Sequence, residues 1–291
     1  MRVLVTGSSG QLGSVIVPEL RRRNDEVIGL DLCAGPTTTH VGSVTDRELV
    51  FGLMQDVDAV VHAASLHAAH IATHAPREFV DTNVNGTMNL LDAAARHGVR
   101  RVVYTSTTSV YGHALECDDH AVWVTEDLLP QPRDVYDVTK LAAEQLCAVA
   151  AREHGMTCLS LRVSRFFPEP PRLMAIYRLY RGVDVRDAAA VHLLALDADL
   201  PASFFDTFNI SAHSPLSRDQ LYGLRHHTDR VLRAQFPWIE GAFERRDWKL
   251  PTSIDRVYVT EKAERLLAYR PEQGLVRYLQ EFAPREEGCL F

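Results

Sequence analysis

The stretch Arg2-Val3-Leu4-Val5-Thr6-Gly7-Ser8-Ser9-Gly10-Gln11-Leu12-Gly13 constrains the fold more than any other part of the chain, because a short apolar run breaks directly into glycines at 7, 10 and 13. Residues 11–23 then take up a helical pattern, so the glycines sit at a strand-to-helix turn. Backbone without side chains can pass close to a pyrophosphate at the helix N-terminus, where free N–H groups and the helix dipole hold negative charge. A second apolar run, Glu26-Val27-Ile28-Gly29-Leu30, closes on Asp31. An acidic side chain there accepts hydrogen bonds from the adenosine ribose hydroxyls and repels a 2′-phosphate. The chain opens on a dinucleotide site that favours NAD over NADP.

At 291 residues the chain exceeds a typical single-core domain, which predicts one large α/β unit with an appended smaller region. The net charge of −7, with Lys and Arg scattered, offers no basic stripe to nucleic acid. The first strand begins at residue 2, which leaves no room for a signal peptide, and no apolar run approaches ~20 residues. The expectation is a cytoplasmic protein with no membrane segment. Cys33, Cys117, Cys147, Cys158 and Cys289 show no C-x-x-C spacing and are odd in number, so they read as reduced thiols.

Strand and helix patterns alternate as in a doubly wound parallel sheet. Residues 59–62 form a buried strand leading into Ala63-Ala64, 76–97 a long helix ended by Gly98, and 101–105 the next strand. Residues 136–154 are helical up to Gly155, and 157–163 are strand again. From 166 the alternation gives way to Pro, Arg and aromatics, and 204–211 read as a strand returning to the sheet. The predicted organisation is a nucleotide-binding part over 1–165 and a smaller substrate region over 166–291, with 183–211 returning to the first. Trp238, Phe243 and Trp248 are core or pocket-wall aromatics of that region.

Tyr136-Asp137-Val138-Thr139-Lys140 places a phenol and an ammonium one turn apart on one helix face. A nearby Lys⁺ stabilises phenolate and draws the tyrosine towards the working range of a general acid/base. The strand at 101–105 delivers Ser106-Thr107-Thr108-Ser109 to the carboxyl end of the sheet, where open α/β folds place their ligands. A hydroxyl there can bind the oxygen that Tyr136 protonates; Thr108 and Ser109 serve equally well as strand-end turn residues. His67, His70 and His74 would share one helix face; a metal is not assigned to them, and His67 is read as a polar contact to substrate.

Together these motifs resemble an extended short-chain dehydrogenase/reductase of the NAD-dependent epimerase/dehydratase family. They comprise the glycine turn, His62-Ala63-Ala64, Asn83-Val84-Asn85-Gly86-Thr87, Tyr104-Thr105-Ser106-Thr107 with Val110-Tyr111-Gly112, Tyr136 with Lys140, Leu161-Arg162 and Val183-Asp184-Val185-Arg186-Asp187. The resemblance covers most of residues 1–215 and implies a Rossmann sheet with a smaller interleaved C-terminal substrate region. It implies Tyr136 as general base or acid, Lys140 also on the nicotinamide ribose, and Thr107 in the hydroxyl position. For NAD it implies Gly7, Ser9, Gly10, Gln11, Leu12 and Gly13 at the phosphates. Asp31, Leu32, Ser43 and Val44 fall towards the adenosine, and His62, Ala63, Ala64, Asn83, Thr105, Ser106 and Val163 along the remainder. Helices 76–97 and 136–154 are similar to those of the family's four-helix homodimer interface.

Departures from the family pattern bear on substrate. The pair Gly42-Ser43 stands where many members have Gly-Asp, and Arg165 stands where nucleotide-sugar enzymes usually have Asn. Residues 166–182 are short for a diphosphate-binding segment, and Thr108-Ser109 lacks the acids of the 4,6-dehydratases. The run 162–174 is similar to the compact segment of uronate dehydrogenases, which makes Arg172 the candidate carboxylate clamp beside Arg165, with Arg178 and Arg181 adding positive charge. Ser65, His67, Thr107, Thr108, Arg165 and Arg172 are therefore the candidate substrate residues. The expected activity is NAD-dependent oxidation or epimerisation at a carbinol of a small sugar, sugar acid or polyol. The alternatives are a nucleotide-sugar 4-epimerase and, in another class, an NAD-binding redox-sensing regulator.

Overall fold

The computed structural model describes residues 1–282, so Cys289 lies outside the described residues. Its strands are β1 (Arg2–Thr6), β2 (Glu26–Asp31), β3 (His40–Val41), β4 (Ala59–His62), β5 (Arg101–Thr107), β6 (Val122–Val124), β7 (Thr157–Val163), β8 (Phe205–Ile210) and β9 (Arg256–Tyr258). Seven of them form one parallel sheet in the order β3-β2-β1-β4-β5-β7-β8, and β6 pairs with β9 as a separate parallel ribbon. The helices are α1 (Gly13–Arg22), α2 (Arg47–Leu53), α3 (Pro76–Phe79), α4 (Gly86–His97), α5 (Val135–His154), α6 (Pro171–Tyr177) and α7 (Val185–Asp197), then α8 (Leu221–His226), α9 (Thr228–Gln235), α10 (Ile239–Glu244), α11 (Glu261–Leu266) and α12 (Leu275–Glu281). Among the described residues no helix is long and apolar enough to cross a membrane.

The central strands are apolar on both faces because helices cover both. Val3 and Val5 join Val61, Val103, Leu159 and Leu161 in a core under α1, α7 and α11. The alternate positions Leu4, Val60, Val102, Tyr104 and Cys158 form a second core under α2, α4 and α5. A third core, with Ile176, Leu224, Ile239, Phe243, Ile254 and Val257, gathers the C-terminal helices around the β6–β9 ribbon. Phe243 lies in it and Trp248 packs on it, while Trp238 stays partly exposed.

Local chemistry sets the helix ends. Asp134 caps α5, accepting from Asp137 N at 2.9 Å, and Gly155 ends it in the left-handed region at φ 69°. The helix expected over 76–97 is not uniform: Val80–Asn85 widens into a π turn between α3 and α4. Thr87 Oγ1 donates to Asn83 O at 2.6 Å, a side-chain bond that competes with the backbone ladder at this point. The β6–β9 ribbon had no recognisable signal, since its two short strands lie far apart in the chain.

Helix α1 begins against the turn after β1. A Cβ at position 13 would lie 2.1 Å from Gly7 O and 2.7 Å from Ser8 Cα, so both backbones would have to part. Gly13→Ala is expected to cost about 1–3 kcal/mol of stability, as overpacking does. Urea unfolding measures this, and a variant as stable as the parent would show that the turn relaxes freely.

Candidate active site

Strand order reverses at the β1–β4 boundary, and the loops at the carboxyl ends there enclose a cleft of about 500 Å³. The glycine turn forms one end of it. Gly7 sits at φ 70°, and its N–H and that of Ser8 donate to Leu30 O at 2.9 and 3.3 Å. The N–H groups of Gln11, Leu12 and Gly13 have no protein acceptor among the described residues. Asp31 reaches across the turn, its Oδ2 accepting from Ser9 N and its Oδ1 from Cys33 N, both at 2.9 Å. Leu32, Ser43, Val44, Ala63, Ala64, Thr105, Ser106 and Val163 continue the lining.

Three expected cofactor residues lie elsewhere. Ser9 turns its hydroxyl to Thr38 Oγ1 at 2.6 Å and is absent from the lining. His62 is buried beneath the wall instead of forming it, and its hydrogen bonds run in one direction. Thr87 gives its proton to Asn83 O, so His62 Nε2 donates to Thr87 Oγ1 at 2.9 Å. His62 Nδ1 then accepts from Thr6 Oγ1 at 2.7 Å, and that oxygen accepts from Ala64 N at 3.2 Å. Burial, with Lys140 adding, pushes His62 down to about 3 and keeps it neutral. Asn83 is likewise buried; it accepts from Leu66 N at 2.8 Å and donates to Leu66 O and Thr139 Oγ1, both at 3.1 Å. Both residues shape the 63–66 segment from behind.

Tyr136, Lys140 and Thr107 meet in the cleft. Burial pushes the Tyr136 phenol up; its hydrogen bond with Thr107 opposes this, and the Asp137 and Asp134 charges add to it. Lys140 Nζ donates to Thr105 O at 2.6 Å and lies 4.3 Å from the centre of the Tyr104 ring. Both contacts are made away from the Tyr136 phenol, with which Lys140 shares the helix face that their spacing predicts. Burial lowers Lys140 to about 7, opposed by Glu144 one turn further along α5.

Glu144 went unnoticed in the sequence although it repeats the four-residue step from Lys140. It accepts from Ser106 Oγ at 2.5 Å and pairs with Arg162 at 2.7 Å, all three buried. Ser106 therefore faces the cleft with little more than backbone. His192, whose Nδ1 donates to Ala188 O at 2.7 Å, accepts from Thr105 Oγ1 at 2.8 Å and fixes that side chain.

Ser65, His67, Thr108, Arg165, Phe166 and Phe167 also line the cleft, and Phe166 O accepts from Gln11 Nε2 of the glycine turn at 3.0 Å. The His67 ring stands edge-on to Tyr136 and Phe167, with centroids 6.4 and 5.6 Å apart, and burial pushes it down to about 4. His67, His70 and His74 form a row with centroids 5.5 and 5.2 Å apart, not a convergent set. Arg165 is neutralised by Glu169 at 2.6 Å. Arg172 is not a clamp in this structure: α6 turns it away, and its Nε donates to Lys249 O at 2.7 Å outside the cleft. Arg178 is buried against Asp184 at 2.9 Å. The guanidinium groups lining the cleft belong to Arg133, Arg165, Arg181 and Arg256; Arg133 and Arg256 carried no recognised sequence signal.

The sequence profile of the NAD dependent epimerase/dehydratase family matches residues 3–172. The dTDP-glucose 4,6-dehydratase of Mycobacterium tuberculosis is 38% identical over 170 residues, which is 54% of this chain and 50% of that protein. The UDP-glucose 4-epimerase of Streptomyces lividans is 30% identical over 171 residues, 55% of this chain and 50% of that one. The matched part thus spans about half the length of these curated relatives. A short-chain dehydrogenase/reductase superfamily protein from Agrobacterium tumefaciens, crystallised with NAD, has the same fold: TM-score 0.74 at 23% identity, covering 97% of this chain and 95% of that one.

The depressed Lys140 has a consequence for stability. Between about 7 and the ordinary lysine value of 10.5 the unfolded chain holds the extra proton, so this group's contribution makes stability rise with pH. Lys140→Met removes it, and the variant should gain most on the parent near pH 6, with the margin shrinking towards pH 10. Urea unfolding of both proteins across this range checks it; a margin independent of pH would show that burial does not depress Lys140.

Proposed function

The chain belongs to the NAD-dependent epimerase/dehydratase family, and from that premise we propose that it is an oxidoreductase or epimerase acting at a carbinol of a small sugar, sugar acid or polyol. The observation that carries this reading is the meeting of Tyr136, Thr107 and Lys140 in one cleft whose far end is the glycine turn. That turn suits NAD: three N–H groups are free for phosphate, Asp31 overlooks the ribose position, and a Cβ at Gly10 would meet only Gly7 O, at 3.2 Å. When bound, NAD supplies the acceptor and donor of hydride.

The chain's residues handle the oxygen and the proton. Thr107 and Tyr136 line the same cleft, and Thr107 lies close enough to hold the phenol down against burial, so Thr107 can orient the substrate oxygen while Tyr136 Oη takes or returns its proton. A buried phenol resists ionisation, so the proton has to pass through Tyr136 without a long-lived phenolate unless a cation comes closer. Lys140 is the available cation; exchanging its bond to Thr105 O for one nearer the phenol would supply it. The neutral His67 beside Tyr136 can donate to or accept from a neighbouring substrate hydroxyl. A cytoplasmic homodimer is part of the same reading, supported by exposed Met88 on α4 and Val138 and Val149 on α5. The position of Arg172 outside the cleft favours a second reading, a nucleotide-sugar 4-epimerase, because the compact clamp expected of that residue is missing.

Stoichiometric NADH absorbance with aldoses, uronates or polyols identifies a dehydrogenase, whereas interconversion of a nucleotide sugar without net NADH identifies an epimerase. Tyr136→Phe should lower turnover by roughly 10²-fold or more while NAD affinity stays close to the parent's. Near-normal turnover would remove Tyr136 from its role. Asp31→Ala should narrow a preference for NAD over NADP, read by titration of both; equal affinities in the parent protein would sink the assignment of Asp31.

A further inference from the structure

One side chain of the cleft is held by a device that the proposed proton transfer does not need. Arg133 stands in the loop just before α5 and lines the cleft three residues ahead of Tyr136. Its Nε lies 3.4 Å from Asp137 Oδ2, which also accepts from Arg133 N at 3.2 Å, and its Nη2 donates to Ser109 Oγ at 3.1 Å. The loop is pinned from behind: His113 N donates to Gln131 O at 2.8 Å and Gln131 N to Tyr111 O at 3.2 Å, and the backbones approach so closely that only a glycine fits at 112. The Asp137 side chain is fully buried whereas that of Arg133 is 39% exposed, so the carboxylate is the anchor and the guanidinium the presented group.

The anchor works against the catalytic residue. Asp137 is the residue after Tyr136, and its charge pushes the phenol up, away from phenolate. One of its oxygens, Oδ1, is buried with no hydrogen-bond partner among the described residues. A buried, incompletely paired carboxylate beside a general base is unfavourable on both counts. Its evident return is a guanidinium fixed at the cleft that Thr107 and Tyr136 also line, with Nη1 uncommitted among the described residues.

We propose that Arg133, held by Asp137 and Ser109, is a specificity-determining residue that binds an anionic group, a carboxylate by its planar fit, borne on the sugar itself close to the reacting carbon. This rests on the reading of the cleft as a site of hydride transfer to a sugar carbinol. Because Ser109 is only two residues beyond Thr107, the anion lies near the oxygen handled by Tyr136 and is not a distant diphosphate. Asp137 is the positioning residue of the pair.

The experiment titrates NAD-loaded protein with D-glucuronate and D-galacturonate, with D-glucose and D-galactose, and with UDP-glucuronate and UDP-glucose. Each acid should bind more tightly than its neutral parent, and in the UDP pair the sugar carboxylate should still add affinity. Arg133→Gln should weaken the acids by about 30-fold or more, the loss expected on removing one partner of a desolvated charge pair, and leave the neutral sugars nearly unchanged. The double variant Asp137→Asn/Arg133→Gln removes both charges and so avoids a lone buried carboxylate. If Arg133 only neutralises Asp137, the double variant restores acid binding and the proposal is overturned; if Arg133 contacts the anion, binding stays weak. No preference of the parent protein for acids over neutral sugars also overturns it. Hydride transfer without acid preference defeats this proposal alone, whereas acid binding through Arg133 without hydride transfer defeats the enzymatic reading alone.

Discussion

Helix α1 can start where it does only because its backbone and that of the preceding turn approach to distances that a side chain would forbid, at Gly13 against Gly7 and at Gly7 against Ala63 and Ala64. That approach sets the direction of α1, leaves its first N–H groups pointing into open space, and brings the β4 loop against the same turn. A methyl group at 13 would push α1 off the turn, and one at 7 would push the turn off the loop after β4. The remaining walls of the cleft are built outward from this contact.

The second layer of organisation is a run of hydrogen bonds from Ala64 through Thr6, His62 and Thr87 to Asn83. Every proton in it has one available destination, so the imidazole is confined to one neutral tautomer. Asn83 extends the run to Leu66 and to Thr139 on α5. The π turn between α3 and α4 is where this helical segment gives up regularity to place Asn83 inward. The wall of the cleft and the helix bearing Tyr136 and Lys140 are thereby positioned by one connected set of buried polar groups.

The large sheet was legible because its strands are apolar on both faces and its main helices stop at Gly98 and Gly155, signals that depend on local sequence alone. The glycine turn, Asp31 and the Tyr136–Lys140 spacing were legible for the same reason. What was not legible is direction. His62 and Asn83 have the polarity of ligands, yet the phase of their elements sends them into the interior. Arg172 has the chemistry of a clamp, yet α6 begins at Pro171 and carries it outward. A guanidinium in an arginine-rich sequence says little until its carboxylate is known, as Arg165 with Glu169 and Arg178 with Asp184 demonstrate. The Arg133–Asp137 step of four residues matches that of Tyr136–Lys140, but Arg133 precedes the helix that starts at Val135, so spacing alone does not place it.

The β6–β9 ribbon has a consequence for the order in which the molecule assembles. Strand β6 lies in the loop between β5 and α5, and its ladder partner is β9, which follows β8 and α10 in the chain. Sequence-distant pairings close late, since the loop entropy must be met before the contact forms. During synthesis the sheet through β7 and the helix bearing Tyr136 can pack while β6 still waits for its partner. The part of the cleft that holds the glycine turn, Tyr136 and Arg133 can thus form before Arg256 and Tyr258 of β9 complete its lining.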